Sequence, residues 1–137
     1  MKRILKTIVV SLILIVTAFS LVACGNDENQ ESKVIEQYAG KWYCYKTVTN
    51  GQTVDFKNLS AYIDIELSIE FSTEKTYICH YYVNGSEGKE YPQEGSFTIE
   101  DNSLILTGDI SGRAEISGTE MLVTTDGVVQ YYQRNSF

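Results

Sequence analysis

The residue pattern predicts an all-β fold: an antiparallel up-and-down meander of about eight strands, closing into a small barrel behind one short helix. Three observations carry this expectation. Ile63, Ile65, Leu67, Ile69 and Phe71 alternate with Asp64, Glu66, Ser68 and Glu70, the two-residue period of a strand with one dry and one wet face. Turn signals recur at short intervals from residue 72 onward, so consecutive strands are joined directly and run antiparallel. No helical periodicity of any length separates them. A meander of this kind removes its exposed edges by closing on itself.

The elements follow in order. A short helix is expected over residues 33–38, and the first strand begins near Lys41 with Trp42 and Cys44 on one face. The alternating strand is expected over 63–71, with a turn at Ser72-Thr73-Glu74-Lys75. A Tyr-rich strand spans 76–83, followed by a loop that starts at Asn84-Gly85. Gly95, Phe97 and Ile99 share a face of the next strand, and Asp101-Asn102 turns the chain into Leu104-Ile105-Leu106. Gly108 and Gly112 bracket a corner before 113–116; Gly118 precedes Met121-Leu122-Val123. Asp126-Gly127 is a hairpin signal, because glycine supplies positive φ, and the last strand covers 128–134.

The N-terminus has a different logic. Lys2, Arg3 and Lys6 precede an uncharged, mostly apolar run from Thr7 to Ala23. A cationic head followed by an apolar stretch is the layout of a secretory signal. The run is short for a spanning helix, which needs about 20 apolar residues, and it holds Thr7, Ser11, Thr17 and Ser20. Leu21-Val22-Ala23-Cys24 resembles the lipobox of a bacterial lipoprotein. That resemblance implies a diacylglyceryl group on the Cys24 sulfur, cleavage after Ala23, further acylation (palmitate, for example), and a protein anchored on the extracytoplasmic face of the cell membrane. Two or more acyl chains give stable anchoring. The expected organisation is a signal peptide over 1–23, a lipidated flexible tether over 24–33, and a barrel domain over 34–137. The tether is expected to be disordered because Gly25 to Ser32 is polar and acidic.

Removing Lys2, Arg3 and Lys6 with the leader leaves eight cations against 18 acids, a net charge of −10. A domain this acidic is repelled by nucleic acid, so nucleic-acid binding is excluded as an expectation.

Gly40-Lys41-Trp42 at the head of the first strand, followed by a β meander, resembles the lipocalin-like superfamily, and more narrowly the small lipocalin-like domains of bacterial lipoproteins. The resemblance implies that Trp42 closes one end of the barrel beside a basic side chain from the end of the last strand. Arg134 is placed for that part, since a guanidinium stacks well on an indole. The Thr-Asp-Tyr motif of true lipocalins is absent, and the shorter chain implies a smaller cavity.

Candidate chemistry is sparse. Cys79 and His80 are neighbours, but adjacent strand residues face opposite ways, so a thiol–imidazole pair is not expected. One histidine and no Cys-x-x-Cys leave too few ligands for a transition metal. Asp64, Glu66 and Glu70 read as a solvated outer face. Cys44 and Cys79 are either bonded or free; a bond needs Cα atoms within about 7 Å and would flatten the barrel, so free thiols are preferred. Ten tyrosines serve strand pairing first, and an outward pair such as Tyr43 and Tyr45 suits a partner surface.

The expectation is therefore a monomeric, non-enzymatic lipoprotein without cofactor or metal, anchored through Cys24. It is expected to bind a small apolar or amphipathic ligand, with Trp42, Tyr77, Tyr81, Phe97 and Leu106 as lumen candidates and Gly40, Trp42 and Arg134 as the closure. The alternative is a protein-interaction or inhibitor module with a filled barrel, using loops 49–60 and 84–93.

Overall fold

A computed structural model describes residues 28–137; the expected signal peptide over 1–23, its expected cleavage site and Cys24 lie outside the described residues. Eight antiparallel strands form a closed ring. They are β1 (Gly40–Thr49), β3 (Ile65–Phe71), β4 (Thr76–Val83), β6 (Gln93–Glu100), β7 (Ser103–Gly108), β8 (Gly112–Ser117), β9 (Glu120–Thr125) and β10 (Val128–Gln133). Each pairs with the next, and β10 returns to pair with β1 from Tyr43↔Gln133 to Thr49↔Val128. The expected all-β barrel is therefore present. Two short strands lie off the ring: β2 (Gln52–Asp55) pairs with β1, and β5 (Ser86–Glu87) pairs with β4.

The alternation read from the sequence places the core. Ile65, Leu67, Ile69 and Phe71 of β3 are buried, as are Tyr77 and Cys79 of β4, Leu104 and Leu106 of β7, and Met121 and Val123 of β9. An eight-stranded barrel has an interior that side chains just fill. The start of β1, the end of β10 and the β3–β4, β6–β7 and β8–β9 turns lie at one end, the floor. The β1–β2 turn, β5 and the β7–β8 and β9–β10 turns lie at the other, the mouth.

The helix α1 occupies residues 28–38. Within the described residues it reaches back at least five residues before the expected boundary, and residues 28–32, expected as disordered tether, are helical. Glu28, Gln30 and Glu31 explain this: they are good helix formers, and acids toward the N-terminal side complement the helix dipole. Val34, Ile35 and Tyr38 make its apolar face and are buried in the barrel's hydrophobic cluster.

Four further elements differ from expectation. The strand expected from Ile63 starts at Ile65, because the Tyr62 and Ile63 amides both donate to the Leu59 carbonyl and hold that stretch in a turn. Asn50-Gly51, with φ of 49° and 75°, and Asn84-Gly85, with 50° and 77°, are tight hairpin turns that create β2 and β5. Between β2 and β3 lies α2 (Phe56–Leu59), capped where Asp55 Oδ1 accepts the Asn58 amide at 2.9 Å.

Candidate functional site

The floor is closed by a network that begins in the sequence at Gly40. This residue has φ of +98°, and a Cβ here would meet Arg134 Nη1 at 3.2 Å, so the position suits glycine alone. Arg134 lies flat on Trp42, with Cζ 3.8 Å from the ring centroid. Its fork donates to the Ala39 carbonyl at 2.8 Å and the Gln37 carbonyl at 2.6 Å, orphan acceptors at the end of α1. Trp42 Nε1 donates to the Tyr38 carbonyl at 2.8 Å. The Tyr38 hydroxyl donates to the Asn102 and Ala114 carbonyls and accepts the Ile116 amide at 3.1 Å. Helix, first strand and last strand are thus fastened at one point.

Above the floor the lumen is packed. Phe71 meets Tyr38 and Phe97 edge-on, with centroids 6.1 and 5.7 Å apart. Of the five lumen candidates, Trp42, Tyr77, Phe97 and Leu106 belong to this packing, each 3% exposed or less. The Tyr77 hydroxyl holds the β7–β8 corner: it donates to the Thr107 and Ile110 carbonyls and accepts the Ile110 amide at 2.9 Å. Only Tyr81 of the five lines the cavity at the mouth.

That cavity has a volume of about 370 Å³. Phe56 and Leu59 of α2, Val54 of β2, and Ile65 and Leu67 of β3 supply its apolar wall; Tyr81 and Tyr91 supply aromatic rings; Thr47 and Gln130 add polar groups. A second cavity of about 340 Å³ adjoins it, sharing Leu67, Tyr91 and Gln130 and adding Asp109, Asp126 and Ser111. Two larger grooves, of about 590 and 740 Å³, lie on the outer flank by Glu70 and Glu94 and at the floor by Gln37 and Asn135. Those have mixed, polar rims, so the mouth is the better candidate for an apolar guest.

Local sequence features build this mouth. The register shift between Cys44 and Lys46 is a β-bulge that puts Tyr45 and Lys46 on the outside and returns Thr47 to the lumen, 3.6 Å from Cys44 Sγ. Lys46 Nζ then sits 4.1 Å over the Tyr131 ring. The expected outer tyrosine surface accordingly comprises Tyr43, Tyr45 and Tyr131, with Lys41 Nζ 4.9 Å over Tyr43. Gln130 Oε1 accepts the Tyr132 hydroxyl at 3.0 Å, which fixes the amide at the cavity wall. Tyr91 precedes Pro92 in the loop after β5 and tilts against Tyr81, with centroids 5.6 Å apart. Neither Gln130 nor Tyr91 was marked by periodicity, since Tyr91 lies in irregular chain and Gln130 is polar.

Cys44 and Cys79 are both free and buried. They sit on β1 and β4, with β3 between them. At about 4.8 Å per strand spacing their Cα atoms stand too far apart for a bond. Burial pushes the Cys44 thiol up to about 11 and the Cys79 thiol up to about 12, from an ordinary value of 9.0. Burial also raises the Tyr132 hydroxyl well above its usual value. The sign follows directly. Below pH 9 both folded and unfolded chains hold these protons; above it the unfolded chain releases them first. Stability is therefore expected to fall as pH rises from 9 through 11 and 12, by about 1.4 kcal/mol per pH unit for each thiol. Urea titrations at several pH values check this: Cys44→Ala and Cys79→Ala should each flatten the alkaline fall, and an unchanged slope in the double variant would refute it.

His80 points outward. Its Nδ1 lies 2.6 Å from Glu87 Oε1, and its ring stacks on Tyr82 with centroids 5.6 Å apart. Cys79, its neighbour, faces the lumen. Among the described residues, no three His, Cys, Asp or Glu side chains converge as a metal site would require. No family model, curated protein or solved structure matches this chain.

Proposed function

We propose that this chain is a lipid-anchored, extracytoplasmic, non-enzymatic protein whose barrel mouth holds a small apolar or amphipathic molecule. The observation that carries the ligand half is the mouth cavity: about 370 Å³, walled by Phe56, Leu59, Ile65 and Leu67, and furnished with a few polar groups on Thr47, Gln130 and the two tyrosines. Pockets that take small molecules have this size and this mixture. The packed floor limits the guest to the upper half of the barrel. The anchoring half rests on Leu21-Val22-Ala23-Cys24 and the cationic head before it. No helix among the described residues is long and apolar enough to cross a membrane.

A protein-docking role is the second reading, favoured by apolar groups exposed around the mouth: Val54 at 44%, Tyr62 at 87% and Ile63 at 37%.

Mass spectrometry of protein released intact from its host membrane tests both halves. An acylated N-terminus at Cys24 with a co-purifying small molecule is the expected result. Thr47→Phe should fill the cavity and empty the protein of that molecule while costing less than about 1 kcal/mol of stability, since its ring enters open space. Protein that is acylated yet always empty would favour docking; Cys24→Ser that is still processed and acylated would overturn the anchor.

A further inference from the structure

We propose that the mouth selects amphiphiles with a cationic head and rejects fatty-acid anions. This rests on the ligand reading above and names the chemical class of the guest. Three features of the paired cavities carry it. First, neither cavity has a lysine or arginine in its lining, so nothing there neutralises a carboxylate. Second, the smaller cavity is rimmed by Asp109 and Asp126, two carboxylates on the β7–β8 and β9–β10 turns. Third, Tyr81 and Tyr91 both line the cavity beside the apolar wall and meet at an interplanar angle of 49°. Tilted aromatic faces attract ammonium groups through the ring quadrupole, most strongly where water is displaced.

The wider rim points the same way. Segments 50–64, 84–92, 109–111 and 126–127 link the strands at the mouth, and they carry Asp55, Asp64, Glu87, Glu90, Asp109 and Asp126 against only Lys57 and Lys89. Glu87 is engaged with His80, and Asp109 Oδ2 accepts the Glu94 amide at 2.9 Å. A cation diffusing toward this end is steered in, and an anion is turned away. The alkyl chain then lies against Phe56, Leu59 and Ile65, with its head at Tyr91 between the two cavities. Asp109 and Asp126 are exposed, so water and salt weaken their pull and the preference is moderate.

The test uses the full chain in phospholipid nanodiscs, with empty discs as the blank. Three probes share one short tail: hexyltrimethylammonium, hexanol and hexanoate. Titration calorimetry at low salt is expected to rank them in that order, with hexyltrimethylammonium bound about tenfold more tightly than hexanoate. Raising the salt should shrink the ratio. Asp109→Asn with Asp126→Asn should bring the cation toward hexanol, and Tyr91→Leu should weaken the cation more than the alcohol. Equal binding of cation and anion, or tighter hexanoate, overturns the selectivity while leaving the ligand reading standing. Absence of binding by all three probes, unchanged by Thr47→Phe, overturns both.

Discussion

Trp42→Ala is expected to destabilise the barrel by about 3–5 kcal/mol, the usual range for emptying a buried aromatic site. For a domain of roughly a hundred residues this lowers the melting temperature by about 12 °C or more. The cavity is only part of the loss. Arg134 would lose the indole face on which its guanidinium lies at 3.8 Å, and the Tyr38 carbonyl would lose its donor. The end of α1 and the start of β1 are thereby loosened together. Arg134→Lys separates the contributions. It keeps the charge but gives up the flat stacking and the two-pronged grip on Ala39 and Gln37, and should cost about 1 kcal/mol. Urea melts with unchanged slope would show that stability alone has moved. A Trp42→Ala protein within 1 kcal/mol of the parent would mean that the floor is not a fastening point.

Gly95→Ala should be as severe, for a reason invisible in any burial figure. Gly95 of β6 pairs with Gly108 of β7, and the two leave a notch over which Tyr77 lays its hydroxyl. A Cβ at residue 95 would collide with the Thr107 carbonyl and come within 2.6 Å of Tyr77 Oη. Strand backbone cannot retreat without breaking the β6–β7 ladder, and Tyr77 cannot retreat without abandoning Ile110. The expected cost is about 3 kcal/mol or more, with failure to accumulate folded protein as the extreme outcome. Tyr77→Phe alone should cost about 1–3 kcal/mol by orphaning the corner's polar groups. Combining it with Gly95→Ala should give no recovery, because the Thr107 carbonyl still obstructs. A freely tolerated Gly95→Ala would overturn this account.

The ring itself was legible because alternation reports directly which side chains face inward. Ile65 to Phe71 needed no further information. The floor constellation was expected only from the resemblance carried by Gly40-Lys41-Trp42; in the fold Trp42 and Arg134 meet because ring closure brings the ends of the first and last ring strands together. What alternation does not report is height. Trp42, Tyr77, Phe97 and Leu106 all face inward, but whether an inward residue lies at floor or mouth depends on strand stagger. That stagger is set by pairings between segments far apart in the chain. The omitted elements had local signals of their own: Asn50-Gly51 and Asn84-Gly85 for two tight hairpins, and Asp55 as a helix cap. Tyr91 had none, since only the fold of the β4–β6 connection turns it toward Tyr81.

The pairing of residue 43 with residue 133 has a temporal consequence. The seam of the ring joins its earliest strand to its latest, so no chain still lacking β10 can complete the cylinder. Until the C-terminus is delivered, β1 and β9 both expose raw hydrogen-bonding margins to other chains. Loss of the chain's final dozen residues would leave a permanently unzipped sheet prone to self-association.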